Sequence, residues 1–166
     1  MAGKKYILLV SLALAMLLAD QISKYWVVAN LTRAPIGNQA CQANFQRFWS
    51  CQHPRPTRRQ RLFDTALTFN YVENPGAAWG LFQDTDSRFR LPFFVAISIF
   101  AVGFIGFYYH KTPYENRILR TGLALVLGGA LGNFVDRIRL TYVIDFIRMD
   151  FGFWPFHPWP TYNVAD

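Results

Sequence analysis

Charge is scarce in this chain. Only 16% of its 166 residues are Asp, Glu, Lys or Arg, while 52% are hydrophobic. An ordinary soluble domain carries about a quarter charged residues, so that class fits poorly. Cysteine is limited to Cys41 and Cys51, which offer no disulfide framework to read. The two can close one loop in an oxidising compartment or remain free thiols. His53 lies nearby, but Cys-x9-Cys-x-His lacks the tight ligand spacing of a zinc site. No metal-ligand cluster, Gly-rich phosphate loop or nucleotide fingerprint is present, so no metal or cofactor is expected. Ser23 and Ser98 have no visible base, and His53, His110 and His157 read as loop residues. Low-complexity tails and internal repeats are absent, and the length suits one domain.

What is there is apolar and basic. The net charge of +7 suits nucleic acid or an anionic membrane surface. The apolar runs favour the membrane, and the basic loop has few interleaved aromatics, so no nucleic-acid partner is expected. Lys4 and Lys5 precede an apolar run from Tyr6 to Val28, interrupted by Asp20 and Lys24. No small-x-small cleavage site closes it, so it reads as a retained span rather than a signal peptide. Leu91 to Tyr109 is uncharged and forms a second candidate, with Pro92 expected in its first turn. The third, from Ile118, carries Gly128 and Gly132 as a small-xxx-small pair, which predicts a closely packed central helix.

The expectation is an α-helical integral membrane protein with a small extracytoplasmic β-structure. It is one membrane-embedded domain over 1–166, with spans at about 6–28, 91–109 and 118–136 and a loop over 29–90. Within that loop, about 33–62 reads as an irregular insertion, Leu67–Glu73 as a strand, Asn74-Pro75-Gly76 as a turn, and 77–82 as a segment for the membrane boundary. Lys4, Lys5, Lys111, Arg117 and Arg120 flank short ends and belong in the cytoplasm. The long loop is also basic, but loops of about 60 residues or more translocate largely regardless of charge. That loop, and everything from Asp136 onward, therefore belongs outside.

With ten acidic residues, each can be weighed. Asp64, Asp84, Asp86 and Glu115 read as solvated. Asp20 and Lys24 share a helix face at i,i+4 and neutralise each other, in a structural or a substrate-positioning role. Asp136 is expected to pair with Arg137, which makes it a weak general-acid candidate and a good supporting group. Asn133 and Arg137 share one face, and Asn133 has an amide to offer a substrate carbonyl or a backbone group. Asp145, in the β-favouring run Tyr142–Ile147, and Asp166 have no neighbouring base. Burial without a cation raises a carboxyl pKa, and two carboxyls that meet can share a proton and activate water. From residue chemistry alone, a non-enzymatic membrane protein whose aspartates bind cations or a partner stays open beside a protease.

Four segments narrow the choice. They are Asp20-Gln21-Ile22-Ser23-Lys24; Asn74-Pro75-Gly76-Ala77-Ala78-Trp79; Gly128 to Arg137; and Val143-Ile144-Asp145-Phe146 with Asn163-Val164-Ala165-Asp166. In order and helix context they resemble the lipoprotein signal peptidase family, signal peptidase II. The resemblance implies an intramembrane aspartic endopeptidase of the bacterial inner membrane, with its site towards the outer side and without metal or organic cofactor. It removes signal peptides from diacylglyceryl-modified prolipoproteins just before the lipidated cysteine, in contact with membrane lipid and as a monomer, and is a globomycin target. The catalytic pair maps to Asp145 and Asp166. Asn74, Gly76, Asn133, Arg137 and Asn163 match positions near the substrate groove, with Asp20, Lys24 and Asp136 in support. The stretch after Gly76 is similar to a mobile amphipathic helix over the site. Two departures stand out. The insertion holding Cys41 and Cys51 exceeds the family norm, and no role is assigned to it. The family also has a fourth span directly after its second catalytic aspartate, so the resemblance implies truncation at Asp166.

Overall fold

The computed structural model describes residues 2–63, 66–76, 82, 86–153 and 159–166. Three long helices dominate: α1, Ala2–Leu31; α3, Ser87–Lys111; and α4, Arg117–Leu140. Each is long and apolar enough to cross a membrane. Helix α1 runs past the expected end at 28 until Thr32 enters a strand, and Pro35 follows. Helix α3 starts four residues before Leu91, because Asp86 caps it by accepting the Arg88 N–H at 2.9 Å. Pro92 therefore falls in the second turn rather than the first. Asn116 caps α4 by accepting the Leu119 N–H at 3.2 Å.

Helix α4 packs between α1 and α3. A Cβ added at Gly128 would lie 2.5 Å from the Ala13 carbonyl oxygen and 2.6 Å from the Met16 Cβ, so the close approach of α1 and α4 requires glycine there. Large apolar side chains such as Ile7, Val10, Ile97, Phe100 and Val126 point outward from the bundle. That is the surface a spanning helix offers to lipid.

Beyond the C-terminal end of α1 lies a small β-structure. Strands β3 (Gln60–Phe63), β4 (Leu67–Asn74) and β5 (Val143–Met149) form an antiparallel sheet in that order. Val72 faces Asp145 and Asn74 faces Val143 across β4 and β5. The main core joins Val27, Val28 and Leu31 of α1 to Tyr71, Leu140, Tyr142, Ile144 and Phe146. It glues the sheet to the end of the first span.

The expected irregular insertion is folded. Strand β1 (Thr32–Arg33) pairs antiparallel with β2 (Arg55–Pro56), enclosing a 3-10 turn at Gln39–Cys41 and the short helix α2, Asn44–Trp49. Cys41 and Cys51 form a disulfide with Cα atoms 5.6 Å apart, which resolves the choice left open by the sequence. The buried Arg47 donates to the carbonyls of Thr32, Cys41 and Gln42. A cross-link and one arginine on three carbonyls leave no periodic trace, so pattern reading finds no order there. His110, read as a loop residue, lies in the last turn of α3.

Candidate active site

The turn from α4 into β5 sets the site. Thr141 ends the helix in the left-handed region, φ 73°, with its N–H on the Arg137 carbonyl at 3.0 Å. A β-branched residue seldom adopts that conformation. It sends the chain straight back as β5, whose buried residues run from Val143 through Phe146 without alternation. Ile144 and Phe146 enter the core, while Val143 and Asp145 line a cavity of about 560 Å³. Both faces of the strand are thus covered, which a period-two reading misses.

Asp145 is 2% exposed. Its Oδ2 accepts the Asn74 amide at 2.8 Å and its Oδ1 the Asn163 amide at 2.7 Å. Burial pushes its carboxyl up from 3.8 to about 6; the two amides oppose that rise, and neighbouring Asp166 adds to it. The segment 159–166 returns along β5, with Tyr162 and Ile147 exchanging backbone bonds at 2.8 and 3.0 Å. That bridge delivers Asn163 and Asp166. The Asn163 N–H donates to Asp166 Oδ2 at 3.0 Å, while its side-chain amide holds Asp145. One residue therefore ties both aspartates. Asp166 Oδ1 also accepts the Asn133 amide at 2.9 Å. A Cβ at Gly129 would collide with the Ala165 carbonyl, so α4 makes room for this segment.

Asn74, Gly76, Asn133, Arg137, Asp145 and Asp166 all line the cavity, and Asn163 is buried among their bonds. Arg137 lies over the Phe94 ring at 4.9 Å and does not pair with Asp136, contrary to expectation. Adjacent helix residues point apart, whereas residues three or four apart meet. Asp136 accordingly pairs with Arg139 at 3.0 Å and, across to α1, with Lys24 at 2.9 Å. It also accepts the Gln21 amide and the Ile144 N–H at 3.2 Å each. With both oxygens so engaged, Asp136 has no room to act as a base. The expected Asp20–Lys24 pair forms at 2.9 Å, and it extends into this larger buried cluster. Lys24 reaches further, donating to Asn133 Oδ1 at 3.0 Å.

Trp159, Pro160, Thr161 and Tyr162 also line the cavity, and sequence reasoning did not single them out. The aromatic and proline residues just before Asn163 are the signal that marks them. The stretch 77–81, expected at the membrane boundary and over the site, and His157 lie outside the described residues. Phe82 packs against Phe93 and Phe94 of α3. Among the described residues, no three His, Cys, Asp or Glu side chains converge as a metal site would need.

The family described as signal peptidase (SPase) II matches residues 12–166 of this chain. A lipoprotein signal peptidase of Anaeromyxobacter sp. (strain Fw109-5) is 42% identical, over 98% of this chain and 79% of that protein. One of Lactobacillus johnsonii is 33% identical, over 100% of this chain and 86% of that protein. Among solved structures, a bacterial membrane enzyme determined by the in meso method matches with a TM-score of 0.66 at 22% identity, covering 99% of this chain and 79% of that one. That last likeness concerns the fold. This multi-pass membrane protein belongs to the lipoprotein signal peptidase family, signal peptidase II, proteases that remove signal peptides from prolipoproteins.

Proposed function

We propose that this chain is an aspartic endopeptidase that uses Asp145 and Asp166 to cut diacylglyceryl-modified prolipoproteins just before the lipidated cysteine. The observation that carries the reading is the junction at Asn163, which binds both carboxylates at the wall of one cavity. Asp145, buried and pushed up to about 6, is the carboxyl of the pair that takes the protonated role. Asp166 is exposed to solvent and takes the proton of the attacking water. The Asp145 proton goes to the scissile carbonyl oxygen as the water oxygen bonds to carbon. Collapse of the tetrahedral intermediate breaks the C–N bond: the proton taken by Asp166 goes to the amine of the lipidated cysteine, and one hydroxyl proton of the intermediate returns to Asp145 as the new carboxylic acid forms.

Asn74 and Asn163 hold Asp145, and Asn133 orients Asp166. Arg137 and Gly76 at the cavity wall receive the substrate backbone. Asp20, Lys24 and Asp136 support the site from beneath. The enzyme works as a monomer in the bacterial inner membrane, with the cavity towards the outer side, without metal or organic cofactor. The test is Asp145→Asn, assayed on a diacylglyceryl-modified prolipoprotein after its membrane insertion has been checked. Cleavage is expected to vanish while insertion persists; retained cleavage would sink the assignment. Globomycin is expected to inhibit the unmodified protein.

A further inference from the structure

The end of the bundle remote from the cavity gathers cations, and the acid there, Glu115, is exposed and forms no ion pair with them. Arg120, near the start of α4, is 2% exposed. Its guanidinium donates to the Tyr114 carbonyl at 2.8 Å, and to the Lys5 carbonyl and the Tyr109 hydroxyl at 3.3 Å each. It stacks against the Tyr109 and Tyr114 rings, 5.6 and 4.7 Å from their centroids. Every one of these partners is neutral, and the buried Nε has no partner at all. Lys5 is likewise held by the carbonyls of His110 and Thr112, at 2.7 Å each. Among the described residues, no carboxylate pairs with Lys5, Arg117 or Arg120.

Lys24 and Arg139 are also buried, and both find carboxylates. Arg47 is buried without an acid, but all three of its nitrogens sit on carbonyls. Arg139 also leaves its Nε without a partner, but its terminal nitrogen sits on Asp136, so Arg120 alone among the four combines an unpartnered nitrogen with no carboxylate. It does so at the positive end of the α4 dipole, where a cation is disfavoured and an anion favoured. Taking a guanidinium out of water without a counter-charge is costly.

A cavity of about 320 Å³ opens at this point, lined by Leu8, Tyr114, Arg117, Arg120 and Thr121. We propose that it binds the phosphate of an anionic glycerophospholipid, with Arg117 and Arg120 as its cationic partners and Thr121 as a hydroxyl donor. Guanidinium groups suit phosphate oxygens, and a helix N-terminus adds to the attraction. The lipid source follows from the surroundings. Ile7 and Ile118, next in sequence to the lining residues Leu8 and Arg117, are 66% and 89% exposed, and Leu125 follows Thr121 one turn on along α4. This apolar surface continues along two spanning helices, where acyl chains would lie. Basic pockets between spanning helices are suited to anionic head groups. The site lies about 30 Å from Arg137 along α4 at 1.5 Å per residue, so it is separate from the Asp145–Asp166 cavity and independent of the peptidase reading.

The test uses the purified full chain in zwitterionic detergent, with thermal unfolding and native mass spectrometry. Dioleoyl phosphatidylglycerol is expected to raise Tm with dose and to be retained as a one-to-one adduct. Dioleoyl phosphatidylcholine and inorganic phosphate are expected to do neither. Arg120→Leu should abolish retention; should it fail to fold, Arg117→Gln carries the test and should weaken retention on the order of tenfold. Arg58→Gln, which removes the same charge from the exposed loop, should retain the lipid like the parent. Equal effects of the two lipids, or equal weakening by R117Q and R58Q, would overturn the proposal. A rise with inorganic phosphate matching that with phosphatidylglycerol would overturn the lipid as source.

Discussion

The Nζ of Lys24 lies 3.0 Å from Oδ1 of Asn133, and this contact decides which way the Asn133 amide faces. A lysine ammonium only donates, so the amide oxygen must turn towards it. The Asn163 amide donates to the same oxygen at 3.1 Å. The Asn133 nitrogen is thereby left pointing at Asp166, 2.9 Å away. A charge buried in the first span thus sets a hydrogen bond to a carboxylate at the cavity wall.

Replacing Lys24 by methionine leaves Asp20 and Asp136 buried around a missing cation. Breaking a buried pair in this way costs about 3–5 kcal/mol. The expected outcome is a large fall in Tm in detergent, partly recovered when Asp20→Asn is added. An unchanged Tm for K24M would show that the cluster contributes little to the fold.

Asn133→Asp keeps an acceptor for Lys24 and Asn163 but removes the donor to Asp166. It also sets a second carboxylate against Asp166. Loss of one oriented donor at a reacting centre typically costs about 10²–10³ in kcat. The variant is expected to insert normally and to lose prolipoprotein cleavage on the order of hundredfold, read as initial rates at saturating substrate.

Cleavage through a protonated Asp145 predicts a bell-shaped pH profile of kcat/KM, with its alkaline limb near the Asp145 value of about 6. The Asn74 amide favours the ionised carboxylate and so holds that value down. Asn74→Ala removes it, so the alkaline limb should move to higher pH. A limb that moves down, or stays fixed, would argue against Asp145 as the proton donor.

The same carboxyl links stability to pH. Its folded value of about 6 exceeds the ordinary 3.8, so the folded protein binds this proton more tightly than the unfolded chain does. The stabilisation is complete below 3.8 and is lost as pH rises through about 6. The gap converts to roughly 3 kcal/mol. Asp145→Asn, which cannot ionise, should show a smaller decline in stability between pH 4 and 7 than the parent, measured by unfolding at a series of pH values.

The spans were legible because hydropathy is local, and the glycines of α4 announced its close packing in the same way. Asp145 and Asp166 stood out because no base lies near them in the chain. What joins them was not legible. Asn163 bonds both aspartates through a bridge between Tyr162 and Ile147, a contact that no periodicity encodes. Arg139 was overlooked because Arg137 stands next to Asp136, although helix geometry favours the residue three positions on. The insertion hid its order in one disulfide and one buried arginine.

The Asp20–Lys24 pair has a further consequence for how the protein is made. During synthesis α1 reaches the membrane long before α4, so Lys24 at first has only Asp20 to neutralise it. The i,i+4 spacing lets the apolar stretch of the first span enter without net charge. Only when α4 brings Asn133 and Asp136 alongside does Lys24 gain the partners that orient the cavity wall. On the proposed reading, proteolytic competence therefore arises with helix docking, after the first span has entered the membrane.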